Sequence, residues 1–261
     1  MALRILHSLL ALVLRVFWRP RVEGLAHVPT SGPVIVASNH ISFFDSVMLP
    51  LVIPRRVVFL AKAEYFEGRG LRGTLVRAWF TAIGAVPVKR GTHGEAMVSL
   101  QLALGVLRRG DGFGIYPEGT RSRDGRLHKG HTGVARLALR TGCPIFPVGL
   151  QGTLEVQPPD VSLPRPFKVM RVRIGRPIDV TRHRGRVDDR LLLRQITDEL
   201  MYEIRELSGQ EYVDTYATRT SEDLPSETGQ IAHAGGNGVG AGAEAPLGSA
   251  VYGRPDHDHA A

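Results

Sequence analysis

His40 and Asp45 stand with four residues between them, at a point where the sequence changes from a strand pattern to a helix pattern. The apolar run at residues 34–37 predicts a buried strand, and a second apolar run at residues 47–51 predicts the start of a helix or a short apolar turn. On a continuous helix, side chains five positions apart would point about 140° away from each other. A turn before the helix removes this conflict. We therefore expect His40 at the strand end and Asp45 in the first helical turn, folded back to the imidazole ring.

Such a pair of side chains is suited to general-base catalysis. A neutral imidazole near pH 7 accepts a proton from a hydroxyl group. A carboxylate on its other nitrogen fixes the tautomer and stabilises the imidazolium that forms. No protein nucleophile is needed if the substrate brings its own hydroxyl. The alternative interpretation is a loop histidine followed by an aspartate that begins a helix, because short motifs often arise by chance.

A second group of residues with the chemistry to hold an anion follows the strand predicted at 113–117, and it consists of Glu118, Gly119, Thr120 and Arg121. Ligand residues of α/β proteins commonly follow the carboxyl ends of strands. Gly119 lets the backbone approach a ligand, and Arg121 can bind a phosphate through two parallel hydrogen bonds. Lys89 and Arg90 end another predicted strand, so three cations would surround one anion if these strand ends are adjacent. The alternative for each arginine alone is a solvated surface charge, and for Arg90 alone this is the better interpretation.

The rest of the chain alternates between apolar runs and helical periodicities. The predicted strands are residues 34–38, 56–62, 86–90, 113–117 and 144–150, with a short strand or entry segment at 21–24 and an edge strand at 168–174. The predicted helices are residues 71–83, 95–109, 131–140 and 187–207. Strands that alternate with helices predict an α/β sheet.

The N-terminal residues 1–20 are predicted to form an amphipathic helix that lies in a membrane interface. Five large apolar residues fall at helical spacing on one side, namely Leu6, Leu9, Leu10, Val13 and Phe17. The apolar stretch is shorter than the ~20 residues of a spanning helix, and Arg4 and Arg15 interrupt it. A helix packed on the domain's own core and a true membrane span are the alternatives.

Composition supports one sizeable domain, because the chain has 261 residues and 43% hydrophobic content. We assign this domain to residues 21–210 and predict a disordered tail over 211–261, where Gly, Ala, Ser and Asp become abundant, most clearly beyond about residue 219. The single cysteine, Cys143, excludes an internal disulfide and a cysteine-based zinc site.

Charge is distributed unevenly along the chain. The net charge is +8, and residues 220–261 carry one arginine and six acidic residues, so the preceding residues carry +13. The strong positive charge of residues 1–219 suggests an anionic partner, such as phospholipid headgroups, a phosphorylated substrate or nucleic acid. Nucleic acid is the weakest of these choices, because the sequence has no nucleic-acid-binding motif and no interleaving of aromatic and basic residues.

Four ordered blocks resemble those of the glycerolipid acyltransferase family, most closely the bacterial 1-acyl-sn-glycerol-3-phosphate acyltransferases. The blocks are Asn39-His40-x-Ser42-x-x-Asp45, residues 84–90, Tyr116-Pro117-Glu118-Gly119-Thr120-Arg121-Ser122 and residues 144–148. The resemblance runs from about residue 21 to about residue 207. Two positions depart from the family pattern. Lys89 stands where an aromatic residue usually precedes the terminal arginine of the second block, and Tyr116 replaces the commoner Phe.

The resemblance implies a mixed, largely parallel sheet flanked by helices, and a reaction. His40 would be the general base and Asp45 its orienting partner. The base would act on the free 2-hydroxyl of lysophosphatidic acid, which would attack the thioester of acyl-CoA or acyl-carrier protein to give phosphatidic acid. The resemblance assigns the acceptor's phosphate to Arg121 together with Glu118, Gly119, Thr120 and Arg90. Asn39 and Ser42 would shape the turn or position substrate.

The resemblance also implies that no metal or bound cofactor is required. The expected location is the cytoplasmic face of the cell membrane, as a peripheral or monotopic protein on the phospholipid surface. Two alternatives stay open. The same chemistry could act on another lysophospholipid, glycolipid or aminolipid, as the altered second block suggests. The chain could also be a catalytically silent peripheral lipid-binding protein, although such a protein has no use for the His40–Asp45 pair. A hydrolase is a poorer choice, because the sequence has no Gly-x-Ser-x-Gly elbow.

Overall fold

A computed structural model of the chain describes residues 2–88, 93–159, 161 and 163–217. The α-helices are α1 Ala2–Phe17, α2 Asp45–Val52, α3 Gly70–Ala82, α4 His93–Arg108, α5 Gly133–Thr141, α6 Thr153–Val156 and α7 Arg190–Ser208. The strands are β1 Arg21–Glu23, β2 Val34–Ser38, β3 Val57–Lys62, β4 Ala85–Val88, β5 Gly112–Ile115, β6 Leu127–His128, β7 Ile145–Gln151, β8 Arg171–Ile174 and β9 Tyr212–Val213. The elements that the sequence predicts agree with these boundaries to within three residues, and residues 89–90 of the strand predicted at 86–90 lie outside the described residues.

Seven strands form one sheet in the order β1-β8-β7-β2-β5-β3-β4. The strands β7, β2, β5, β3 and β4 are parallel neighbours, β8 is antiparallel to β7, and β1 is parallel to β8. The expected mixed, largely parallel sheet is therefore confirmed. The edge position expected for residues 168–174 is wrong, because β1 pairs with Arg171–Arg173 and covers that side.

Apolar side chains cover both faces of the sheet, which explains the continuous apolar run of its central strand. All five residues of β2 are buried, as parallel strands between two helical layers require. One apolar layer contains Leu137 of α5 and Leu200 of α7. The other contains Leu14 of α1 and Met48 of α2.

Helix α1 packs one side on the domain and exposes another side that is also apolar. Leu14 is buried in the core, and the His7 Nε2–H donates to the Pro50 carbonyl at 3.2 Å. Six large apolar residues of the helix are exposed, namely Ile5, Leu9, Leu12, Val13, Val16 and Phe17. The periodicity predicted that five apolar residues share one side of α1. This prediction is wrong in detail, because some of them face the domain and the others are exposed. None of the described helices combines the length and apolar character needed to cross a bilayer.

The C-terminal end of the domain extends beyond the boundary predicted from composition. Strand β9 pairs in parallel with β6, and the Leu127 N–H donates to the Glu211 carbonyl at 2.8 Å. The tail boundary predicted at residue 211 is therefore too early, since Tyr212 and Val213 are residues that favour strands. Residues 218–261 of the predicted tail lie outside the described residues.

Candidate active site

The topology of the sheet brings the two predicted groups of polar residues together. Strands β2 and β5 are adjacent and parallel, with Val36 opposite Gly114 and Ala37 opposite Ile115. Their carboxyl ends therefore meet at one edge of the sheet, where His40 follows β2 and the segment 116–121 follows β5. This is the position at which open α/β sheets bind their ligands.

His40 and Asp45 make the contact that their spacing predicts. The His40 Nδ1 lies 2.9 Å from the Asp45 Oδ2, and the Asp45 side chain is fully buried. The backbone N–H groups of Ile41 and Ser42 donate to the same oxygen, each at 2.8 Å. A carboxylate that accepts three hydrogen bonds is fixed in position. Because an ionised carboxylate only accepts, the proton of neutral His40 resides on Nδ1, and Nε2 becomes the basic nitrogen.

Tyr116 contacts the face of the catalytic candidate His40. The two rings stack with centroids 3.8 Å apart and planes 9° from parallel. The Tyr116 hydroxyl lies 3.0 Å from the Ser46 hydroxyl, and Ser46 follows Asp45 in α2. The imidazole is thus held along its edge by a carboxylate and on its face by a ring. The sequence analysis gave Tyr116 no role, although its position two residues before Glu118 could have indicated one.

Glu118 is a buried residue that holds the backbone beside the site. It is 1% exposed. Its Oε2 accepts the His40 N–H and its Oε1 accepts the His128 N–H, each at 3.0 Å. Burial raises the pKa of Glu118 to about 7, against the lowering effect of these two hydrogen bonds. Both carboxylate oxygens are directed to the protein backbone, which gives Glu118 a positioning role, and its predicted contact with substrate stays a prediction.

The segment after β5 holds both backbone polar groups of His40, its N–H and its carbonyl. While Glu118 accepts its N–H, the Ser122 N–H donates to the His40 carbonyl at 2.7 Å. These bonds cross between two loops that are about 80 residues apart in the chain. The Glu118–Ser122 segment therefore positions the histidine in addition to any contact it makes with a ligand.

Asn39 and Ser42 shape the loop and are not in contact with the site's opening. The Asn39 side chain donates to the Leu150 carbonyl at 3.0 Å and accepts the Leu150 N–H at 2.8 Å, which ties the end of β2 to β7. The Ser42 hydroxyl donates to the Gln157 carbonyl at 2.8 Å. Both side chains are buried. These contacts agree with the prediction that both residues shape the turn, and their predicted contact with substrate stays a prediction.

A pocket opens beside His40 and combines polar residues at the strand ends with an apolar interior. Its polar side chains include Thr120, Arg121 and Lys62. Its apolar lining is aromatic and aliphatic, with Phe43, Val47, Phe59, Phe80 and Ile83 among its members. The sequence analysis missed Lys62, which ends β3 and could have been found as a cation at the carboxyl end of a parallel strand. Arg90 lies outside the described residues.

Gly119 adopts a left-handed backbone conformation, with φ of 76°. A Cβ atom at this position would lie 3.0 Å from Cδ2 of the His131 ring. Glycine is thus required by the local backbone and by the neighbouring ring. The predicted contact of Gly119 with a ligand stays a prediction.

The arrangement combines a base, a cationic region and an apolar cavity. Among the residues that the structure describes, no group of three His, Cys, Asp or Glu side chains could hold a metal ion. The chemistry available from these side chains is proton transfer at His40, together with electrostatic binding of an anion by Arg121 and Lys62.

Comparison with known proteins identifies the family. A family model described as Acyltransferase matches residues 19–151, which is just over half of the chain. The chain belongs to this acyltransferase family. The matched region contains β2, α2 and β5, and so includes His40, Asp45, Glu118 and Arg121.

Several acyltransferases resemble the chain over this region. It is 32% identical over 144 residues to a chloroplast 1-acyl-sn-glycerol-3-phosphate acyltransferase of Brassica napus. This match covers 54% of this chain and 40% of the relative. It is 33% identical over 132 residues to the 1-acyl-sn-glycerol-3-phosphate acyltransferase of Borreliella burgdorferi, with 51% of each chain covered. The chain therefore matches about half or less of the length of these relatives.

A solved structure resembles the fold over a larger part of the chain. The 1-acyl-sn-glycerophosphate acyltransferase of Thermotoga maritima superposes with a TM-score of 0.57 at 24% identity, and the match covers 77% of this chain and 78% of that one. The mostly parallel sheet flanked by helices is thus the fold of a known member of the acyltransferases.

Proposed function

We propose that the chain transfers a fatty acyl group from an acyl thioester to the free 2-hydroxyl of 1-acylglycerol 3-phosphate, giving phosphatidic acid for phospholipid synthesis. The donor would be acyl-CoA or acyl-carrier protein. The observation that carries the proposal is the contact between His40 Nδ1 and the buried Asp45, since His40 lines a pocket that also contains Arg121. The names of the related acyltransferases support the choice of acceptor.

The reaction would proceed without a covalent enzyme intermediate. The His40 Nε2 takes the proton of the 2-hydroxyl while that oxygen attacks the thioester carbonyl carbon. Asp45 stabilises the imidazolium that forms, because its carboxylate lies 2.9 Å from Nδ1. The carbon–sulfur bond then breaks, and the departing thiolate takes the proton from the imidazolium. The products are an ester and a free thiol, and the neutral base is regenerated.

The pocket offers a cationic surface for the acceptor's phosphate and an apolar surface for an acyl chain. Arg121 offers a planar guanidinium that binds phosphate oxygens in a bidentate manner, and Lys62 adds a second positive charge. The phenylalanine-rich interior offers an apolar surface for an acyl chain. Burying each methylene there would contribute ~0.8 kcal/mol.

A lipid substrate fits the exposed apolar side of α1. We propose that the chain binds the cytoplasmic face of the cell membrane, with the exposed residues of α1 at the boundary between headgroups and acyl chains. Leu9, Val13 and Phe17 are among these residues, and Arg15 is exposed beside them. Acceptor and product would then exchange laterally within the membrane. Attraction of a body carrying +13 to anionic lipids would strengthen the binding.

The first test is thiol release from oleoyl-CoA with detergent-dispersed 1-oleoyl-glycerol 3-phosphate. We expect acceptor-dependent release by the wild type and at least a hundredfold loss of kcat for His40→Ala, because general-base catalysis contributes about that factor or more. His183→Ala is the matched control, since His183 lies in the 3₁₀ turn at Thr181–His183 and does not line the pocket beside His40, and it should retain wild-type turnover.

The outcome also separates the alternatives. Release with acyl-carrier protein but not with CoA would identify the donor. Release with a non-phosphorylated alcohol in preference to the lysophosphatidic acid would reject the proposed acceptor. If neither donor nor any lyso-acceptor supported release, while the protein still bound anionic vesicles, the proposal of catalysis would be wrong and a lipid-binding function would replace it.

A further inference from the structure

The loop that connects α6 to β8 displays large apolar side chains on the surface. Leu163, Phe167 and Val169 are 79%, 75% and 62% exposed. The backbone of Phe167 has a φ of 62°, a conformation that costs free energy for a bulky residue. Soluble domains usually bury such residues or replace them with polar ones, so this loop needs an apolar environment that the domain itself does not provide.

The loop is attached to the end of α1. The Phe167 N–H donates to the Phe17 carbonyl at 2.8 Å, and the two phenyl rings lie with centroids 5.8 Å apart. The Trp18 Nε1–H donates to the Arg165 carbonyl, also at 2.8 Å. The exposed loop residues therefore continue the exposed apolar side of α1, to which Phe17 belongs.

The charged residues within the two segments 2–22 and 163–169 are all positive. Arg165 and Lys168 are exposed within the loop, and Arg15 and Arg19 are exposed near the end of α1. The sequence has no acidic residue in 2–22 or in 161–178. This pattern complements an anionic lipid surface. It disfavours a symmetric dimer, because a two-fold interface would place the same cations opposite one another.

We propose that residues 163–169 form a second membrane-contacting segment beside α1, with Phe167, Leu163 and Val169 inserted at the headgroup boundary and Arg165 and Lys168 on lipid phosphates. The partner is a bilayer that contains anionic phospholipid. The inference rests on the proposed function in taking a lipid surface as the place of reaction. Contact through the loop in addition to α1 would fix the orientation of the domain on the bilayer, because the loop lies beside the helix and prevents rotation about the helix axis.

Vesicle flotation of the full chain tests the apolar contact. We expect Phe167→Ser to weaken partition into phosphatidylcholine–phosphatidylglycerol vesicles by about tenfold, the loss that follows from removing one inserted aromatic ring. Leu191→Ser is the matched control, because Leu191 is 85% exposed on α7 and should not change the partition. Wild-type binding by Phe167→Ser would overturn the inference.

The same variants separate this inference from the proposed function. In detergent micelles, where no bilayer has to be bound, Phe167→Ser should turn over acyl-CoA and lysophosphatidic acid at the wild-type rate. A wild type without turnover in micelles would refute the proposed activity and leave the flotation result standing. Loss of turnover by Phe167→Ser in micelles would instead place Phe167 in the structure of the active domain and overturn its role as a membrane contact.

A label at the loop gives a measurement that does not depend on binding strength. An environment-sensitive fluorophore is attached to Phe167→Cys on a Cys143→Ala background, with Leu191→Cys as the control position. On saturating phosphatidylglycerol-containing vesicles, we expect the label at position 167 to show a blue shift and to be quenched by lipids that carry a spin label on the acyl chain. The label at the control position should show neither effect. An unshifted, unquenched label at position 167 on bound protein would show that the loop stays in water, and the inference would fail.

The cationic contact and the dimer are tested separately. Lys168→Ala should weaken binding about fivefold on phosphatidylglycerol-containing vesicles and leave binding to pure phosphatidylcholine unchanged, since one basic residue near an anionic surface contributes about 1 kcal/mol. Arg190→Ala on α7 is its control and should bind as the wild type does. If sedimentation showed a dimer that Phe167→Ser dissociates, while vesicle binding stayed unchanged, the occupant would be a second copy of the chain and the inference would be wrong.

Discussion

Replacing Glu118 with Gln is the substitution that most sharply tests the role of the buried carboxylate. In the wild type the two carboxylate oxygens accept the N–H groups of His40 and His128, each at 3.0 Å. The amide of Gln can accept one of these N–H groups through its oxygen, but its NH₂ group presents hydrogen-bond donors to the other. One hydrogen bond from a backbone N–H to the charged carboxylate is lost, and the Gln NH₂ group then faces that backbone N–H.

The expected effect on catalysis follows from the strength of that bond. A hydrogen bond to a charged group contributes about 1.5–3 kcal/mol. Because this bond helps to fix the position of the His40 backbone, we expect Glu118→Gln to lower kcat by about ten- to a hundredfold. The acceptor's KM should change much less, because the buried Glu118 side chain does not line the pocket.

The substitution should also change how stability depends on pH. The pKa of Glu118 is raised from 4.5 to about 7 by burial, so the native state binds an extra proton between these values. This group's favourable contribution is fully present below pH 4.5 and is lost as the pH rises through 7. The shift corresponds to about 3 kcal/mol. Relative to the wild type, Glu118→Gln should therefore gain about 3 kcal/mol of unfolding free energy between pH 5 and pH 8.

Urea unfolding at pH 5 and pH 8 measures this difference, and steady-state thiol release at pH 8 measures the catalytic effect. Glu199→Gln is the control, because Glu199 is exposed on α7 and its substitution should produce neither effect. An unchanged kcat, an increased acceptor KM and a pH dependence identical to that of the wild type would together show that Glu118 contacts substrate. The assignment from the buried hydrogen bonds would then be refuted.

The remaining predictions concern the residues around His40 and the anion. Asp45→Asn should lower single-turnover thiol release by about a thousandfold or more, because the amide cannot stabilise the imidazolium; a rate near the wild type's would mean that Asp45 is only structural. Tyr116→Phe keeps the ring stacked on His40 and loses the Ser46 contact, so its kcat should fall less than about tenfold. The kcat of Tyr116→Leu should fall further, because the stacked ring is lost as well. Arg121→Ala should raise the acceptor's KM about tenfold or more and leave the donor's KM unchanged; equal changes in both would exclude a phosphate-specific role.

The contact between His40 and Asp45 could be predicted because it is local in sequence. Five positions across a strand-to-helix turn determine the distance that the two side chains can span, whatever the remaining chain does. The strand β2 was equally predictable, because a sheet covered on both faces requires a continuous apolar run. The family resemblance rested on the same local blocks and is confirmed by the family match.

The role of Glu118 could not be predicted from the sequence. A carboxylate next to Gly119 and Arg121 indicates ligand binding by its residue type. Its actual contacts depend on the pairing of β5 with β2, which brings residue 118 to the backbone of His40 across 78 positions of the chain. Burial then changes the character of the group, since a carboxylate removed from water has a raised pKa and binds the nearest N–H groups.

The orientation of α1 is a second feature that the sequence could not predict, although the helix itself could be predicted. Its sequence predicts a helix, because apolar residues recur at helical spacing. A helix with apolar residues on several sides has no single preferred face, so periodicity alone did not determine which residues meet the domain. Packing against α2 and the core selects Leu14 for burial and leaves Leu9 and Phe17 exposed.

The elements, the His40–Asp45 pair and the family could be predicted because they depend on residues that are neighbours in the chain. Which side chains are buried at the site, which ring covers His40 and where the exposed apolar surface lies became visible only in the folded domain. These depend on strand order and on contacts between distant segments. The free energy of such contacts comes from water excluded at packed surfaces, and that exclusion exists only after the sheet and its helices have come together.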